Sequence, residues 1–199
     1  MRKLILILFI FLIFTLVYTQ RDQGNKLSLV EKAQKRINSS PTKIYKDSMW
    51  NYTIYYPSCF KKVVTADDNI SDGYVCFRYW DGAIINMEAF VFKSDSTKNF
   101  RSEIFQISSE RHATKKMIGK DNFIISGPIY ENNVEIPDYV YHAKYVRVCK
   151  MYIVYQLIYH KDYEKALINV IESIDNWTPY NKSEHFNDIF IPHRKSPEI

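Results

Sequence analysis

Polar and apolar positions divide the chain into short segments of distinct period. Residues 4–17 form an apolar run interrupted only by Thr15, and Arg2 and Lys3 stand in front of it. A polar stretch follows, and then Asn51 to Tyr56, rich in aromatic and β-branched residues and stopped by Pro57, predicts a strand. Gly73–Trp80 and Ala83–Phe92 predict two more strands, joined at Asp81-Gly82, a pair suited to the positive φ angles of a tight hairpin. Over Lys98–Met117 the spacing of Phe100, Ile104 and Ile107 predicts a helix with one apolar stripe. Asn122–Ser126 reads as a strand ended by Gly127-Pro128. Tyr139–Val148 and Met151–Tyr159 are long β-prone runs with a tight turn at Cys149-Lys150. The last element is helical: Asp162 is the expected cap, and Leu167, Val170, Ile171, Ile174 and Trp177 recur at three-and-four spacing before Thr178-Pro179. This order, β-β-β-helix-β-β-β-helix with neighbouring strands, predicts an α+β fold: an antiparallel sheet with helices packed on it.

A chain of 199 residues holds one domain with room for tails. The expected organisation is a signal peptide or N-terminal anchor over 1–19, a basic linker over 20–42, a single α+β domain over 43–180 and a polar tail over 181–199. The N-terminal run has the charged start and apolar length of a signal peptide and is shorter than a membrane-spanning helix requires. Val17-Tyr18-Thr19 before Gln20 is a tolerable cleavage site. The first cysteine is Cys59, which excludes a lipid anchor at the end of the run. The protein is therefore expected to be exported, periplasmic or secreted, with membrane contact only through the N-terminal segment.

Charge refines this picture. The formal net charge is +5, yet it is unevenly placed. Residues 21–46 carry seven Lys/Arg against Asp22 and Glu31, whereas residues 47–180 carry fifteen against seventeen Asp/Glu. A nucleic-acid binder concentrates cations on its folded part, so nucleic acid is excluded as a partner. Five Asn-x-Ser/Thr triplets, at Asn38, Asn51, Asn69, Asn176 and Asn181, would be glycan acceptors in a eukaryotic secretory chain.

Candidate chemistry is sparse. The sequence contains no G-x-S-x-G, H-E-x-x-H, Walker A, G-x-G-x-x-G or C-x-x-C motif. With three cysteines at least one thiol stays unpaired, and Cys59 and Cys76 are the candidate disulfide. A hairpin centred at residues 149–150 sets His142 opposite residue 157 and keeps it apart from His160, so no metal or other cofactor is implied. Glu110-Arg111-His112 is the one compact polar cluster on a predicted helix; there His112 would share a face with Ile104 and Ser108. Aromatics make up 16% of the chain. Tyr139, Tyr141 and Tyr145 alternate on one strand, with Tyr152, Tyr155 and Tyr159 on the next. Tyrosine serves cores and wet faces alike, so these rings either seal the sheet beneath its helices or form a binding face.

Tyr45-Lys46-Asp47 followed by Tyr52-Thr53-Ile54-Tyr55-Tyr56-Pro57 resembles the opening strand of PsbP-like domains, and the element order over residues 43–179 follows theirs. The resemblance implies an α/β/α sandwich around an antiparallel sheet. It also implies a binding or accessory role without a shared catalytic constellation. The expected function is an exported, non-catalytic binding or accessory module at the cell envelope, with an envelope protein or a glycan as partner. Two alternatives stand beside it. A secreted hydrolase or lyase would assemble its site from sequence-distant residues, marked by a pocket with converging histidine and carboxylates. A structural subunit of a surface assembly would carry a free sheet edge.

Overall fold

The computed structural model describes residues 28–64, 73–81, 84–95 and 97–180. The expected signal peptide or anchor, residues 65–72 and the polar tail 181–199 lie outside the described residues. Helix α1 (Leu29–Ser39) starts at a capping box: the Ser28 hydroxyl accepts from the Glu31 amide, and the Glu31 carboxylate accepts from the Ser28 amide. This helix falls inside the stretch expected as a basic linker, and its Ala33 and Ile37 are buried in the core.

Strands β1 (Thr42–Lys46) and β2 (Thr53–Pro57) form a separate antiparallel pair. The Asp47 carboxylate accepts from the amides of Met49 and Trp50 and closes the turn between them. Among the described residues the main sheet has seven strands, all paired antiparallel. They are β3 (Lys61–Val63), β4 (Val75–Trp80), β5 (Ile84–Lys93), β6 (Lys115–Ile118), β7 (Asn122–Glu131), β8 (Val134–Val148) and β9 (Met151–His160), arranged β3-β4-β5-β9-β8-β7-β6. Trp80 stands opposite Ile84 across the expected β4–β5 hairpin; Gly82 and Ala83 lie outside the described residues.

Three expectations need correction. The helix predicted over Lys98–Met117 is α2 (Phe100–Glu110); His112 adopts a φ of 51°, which ends it, and the chain continues into β6. Strand β7 does not stop at Gly127-Pro128 but runs to Glu131, with a register shift between Pro128 and Tyr130. Proline is tolerated there because β6 pairs only as far as Ser126, so β7 has become an edge strand with no outer neighbour wanting its N–H. Gly127 is needed for another reason: a Cβ would lie 2.6 Å from the His112 carbonyl. The last helical stretch begins as a 3-10 helix (Lys161–Leu167) capped by His160 rather than Asp162, and continues as α3 (Ile168–Asp175).

Both faces of the sheet are covered. On one, Phe77, Ile85, Met87, Tyr155 and Leu157 pack under α1, the β1–β2 pair and α3. Beyond α3, the Trp177 indole N–H donates to the Thr53 carbonyl at 2.7 Å, and the Thr53 amide donates to the Pro179 carbonyl at 2.8 Å. On the other face Ile104 of α2 packs on Phe123, Ile125, Tyr145, Tyr152 and Val154. The architecture is the expected α+β sandwich with helices on both sides of an antiparallel sheet.

Helix α2 is held by a buried acid. Glu103 is 3% exposed and accepts from the Ser94 hydroxyl at 2.6 Å, the Asp95 amide at 2.6 Å and the Tyr152 hydroxyl at 2.8 Å. The oxygen that accepts from Tyr152 also lies 3.9 Å from the Arg147 guanidinium. Tyr152→Phe leaves that carboxylate one donor short and is expected to cost about 1–3 kcal/mol, read from denaturant unfolding; an effect below about 0.5 kcal/mol would contradict the anchoring role. Burial pushes the phenols of Tyr141 and Tyr159 up to about 12 and raises those of Tyr52, Tyr152 and Tyr155 as well. Unfolded tyrosines ionise near pH ~10. The stabilisation is therefore complete below that pH and is lost as pH rises toward the folded values. Phenolate absorbance and loss of structure should rise together above pH ~10; ionisation of these rings in a still-folded chain would refute the burial.

Candidate functional site

Register brings together three side chains that are far apart in sequence. Ser126 of β7 and His142 of β8 are direct cross-strand partners. Their side chains share the face crossed by α3, whose last residue is Asp175. The Ser126 hydroxyl lies 2.8 Å from His142 Nδ1, and His142 Nε2 lies 2.7 Å from Asp175 Oδ1. A carboxylate can only accept, so Nε2 carries the proton and Nδ1 accepts from the serine, a tautomer assigned from partners. Lys144, two residues further along the same face of β8, donates to the Asp175 carbonyl at 2.6 Å. Burial lowers the pKa of its ammonium, partly offset by the Asp175 charge.

Ser126 and His142 line a groove of about 500 Å³ between the β6–β8 end of the sheet and the 3-10/α3 layer. Met117, Ile124 and Ile171 make its walls apolar, while Lys115, Glu135 and Glu164 bring both signs of charge to it. The order Ser–His–Asp polarises the Ser126 hydroxyl in the manner of a triad. Acyl transfer also needs amides converging on a developing oxyanion. Ser126 lies in mid-strand, paired with Lys115 on one side and His142 on the other, a place where amides serve the ladders. What the arrangement offers is a satisfied polar floor in an amphipathic groove.

Of the six tyrosines expected either to seal the sheet or to form a binding face, five are buried in the core. Tyr141, Tyr145 and Tyr152 are buried on the α2 face, whereas Tyr155 and Tyr159 are buried on the opposite one; the odd spacing from Tyr152 to Tyr155 divides them. Tyr139 is half-buried, edge-on to His160. The hydroxyls of Tyr141 and Tyr155 are spent on the carbonyls of Arg111 and Tyr55. His142 does face Leu157. His112, expected to share the buried face of Ile104 and Ser108, is exposed beyond the helix end and stacks on Tyr130 at 4.1 Å. Its neighbour Arg111 turns inward to donate to Gln156 at 2.8 Å.

The disulfide expectation also fails: Cys59, Cys76 and Cys149 are all free. Cys76 stands opposite Val63, four residues beyond Cys59. Cys59 itself sits in the turn before β3, outside the ladder that carries Cys76, and no sulfur partners either thiol.

Among solved structures, the solution structure of cyanobacterial PsbP (CyanoP) from Synechocystis sp. PCC 6803 is similar to this chain. The TM-score is 0.51, and the match covers 71% of this chain and 94% of that one. The fold is PsbP-like. Sequence identity is 12%, so the likeness concerns the architecture, and Ser126, His142 and Asp175 stand on their own geometry. No family model matches the chain, and no curated protein matches it. Sequence reasoning placed His142 but missed its partners, because the β7 register and the docking of α3 are non-local.

Thiol titration checks the cysteine assignment. Cys149 is exposed, Cys59 half-buried and Cys76 buried, with burial raising the Cys76 thiol. A thiol-exchange reagent should find Cys149 fast, Cys59 slowly and Cys76 on unfolding, three in all; a single thiol in denaturant would restore the Cys59–Cys76 bridge.

Proposed function

We propose that this protein is an exported, non-catalytic binding or accessory module of the cell envelope. In this reading the groove above Ser126, His142 and Asp175 receives a surface of an envelope protein or a glycan. The observation that carries it is the groove's composition: apolar walls, charges of both signs at the rim, and a floor whose polar groups are already mutually hydrogen-bonded. Such a site offers apolar contact with a polar rim, the makeup of recognition surfaces. Export rests on the charged, apolar N-terminus and the near-neutral charge of residues 47–180.

The test is crosslinked capture from the native envelope by the tagged full chain, read by mass spectrometry. A stoichiometric partner should be retained by Leu29→Glu, an exposed change on α1, and reduced at least tenfold by Met117→Glu in the groove wall. Equal recovery with both variants would remove the groove from the function. One observation favours a second reading, a secreted hydrolase: the Ser–His–Asp order itself. A fluorophosphonate probe decides between the two. Labelling lost together in Ser126→Ala and His142→Ala would establish the hydrolase, whereas an unlabelled, folded protein supports the binding module.

A further inference from the structure

A second surface, on the opposite face from the relay, lies where α2 passes the free edge of the sheet. Among the described residues, strand β6 pairs only with β7. The Gly119 amide donates to the Asn122 carbonyl at 2.8 Å, closing the Lys120-Asp121 turn. Bonded pairs alternate along an antiparallel ladder. Met117 and Lys115, two and four residues before Gly119, therefore bond inward, and the N–H and C=O groups of Lys116 and Ile118 point away from the sheet. These are unpaired strand groups at an open edge.

Alongside this edge α2 forms the second wall of a cleft of about 680 Å³, lined among others by Arg101, Phe105, Lys116, Ile118 and Lys120. Phe105 is 71% exposed and Ile118 is 59% exposed, an unusual outlay of apolar surface for two neighbouring elements. The Lys116 ammonium lies 5.6 Å from the Phe105 ring centroid. Every charged residue lining the cleft is a cation, and among the described residues none of these three forms an ion pair.

Two features select the occupant. Outward backbone groups call for a strand, which a bilayer surface does not supply. Lysines repel the equally basic edge of a second copy, a usual device against self-association, but they attract acid. Lys116 and Ile118 occupy alternate positions of β6 and Lys120 follows in the turn, so a strand laid on this edge meets a cation and an apolar side chain in alternation with a second cation at its end, and its complement reads acid, apolar, acid. We propose that the β6 edge binds an extended acidic segment of a partner protein, which adds an eighth strand and lays its apolar side chain on Phe105 and Ile118. The surface lies on the opposite face of the sheet from the groove, with Lys116 bordering both, and the proposal does not rest on the reading given for that groove.

The probe is a fluorescein-labelled, end-blocked peptide, Glu-Thr-Ile-Thr-Glu-Thr-Ile-Thr, titrated with the full chain and read by anisotropy. Saturable single-site binding is expected, with at least tenfold weaker binding of the same peptide carrying Lys for Glu. Ile118→Pro removes an outward N–H without touching the β7 ladder and should weaken binding at least tenfold. The double change Lys116→Glu with Lys120→Glu should do the same. Should the proline variant fail to fold, a peptide N-methylated along its threonines and another along its Glu/Ile positions replace it; one of the two must bind at least tenfold more weakly. Met117→Glu, on the other face, should leave binding unchanged. No binding, equal binding of the acidic and basic peptides, indifference to the edge variants, or binding to phosphatidylglycerol vesicles in place of the peptide would each overturn the proposal.

Discussion

Strand β9 is buried on both faces from Tyr152 to Leu157, and the rest of the molecule is arranged to make that possible. A strand sealed on both sides needs apolar or satisfied groups at every position and a neighbour on each edge. Strands β5 and β8 supply the edges. Helix α2 seals the even-numbered side, and α1, α3 and the β1–β2 pair seal the odd-numbered one. The exception, Gln156, shows the rule at work: it receives a hydrogen bond from Arg111 and donates one to Glu88 at 2.7 Å, so no polar atom is stranded.

The same constraint explains what could be read in advance. Elements whose period follows from local contacts were legible: the β8–β9 turn at Cys149-Lys150, the His142–Leu157 pairing and the final apolar helical stripe. The tyrosine rows were legible as strands but not as surface or core. Alternation identifies two faces without saying which is wet, and here neither is. The excess length predicted for α2 has a similar origin. Residues 115–118 are apolar and basic in a pattern that suits a helix as well as a strand, and only pairing with β7 decides. The candidate site was half legible. His142 could be placed from one hairpin, while Ser126 depends on a β7 that passes through Gly127-Pro128, and Asp175 depends on where α3 lands.

That landing is secured at the helix C-terminus. Asp175 gives its carboxylate to His142 and its carbonyl to Lys144, so both ends of one residue are tied to β8. A cation at a helix C-terminus also meets the negative end of the helix dipole. The relay therefore serves as a clamp between layers whatever else its serine does.

The clasp between Thr53 and the Trp177–Pro179 segment has a mechanical meaning. It stitches the end of the sandwich to β2, near the start of the sandwich. Tension applied through residues beyond Tyr180 is delivered first to those two hydrogen bonds and the buried Trp177 ring, rather than to the last turn of α3. A load on the tail is passed sideways into the β1–β2 pair, which stands outside the main sheet. Trp177 also packs against Tyr155 at 5.3 Å, so β9 shares that load. The β6 edge, at the far end of the strand order, is the last place a pull on the tail would reach.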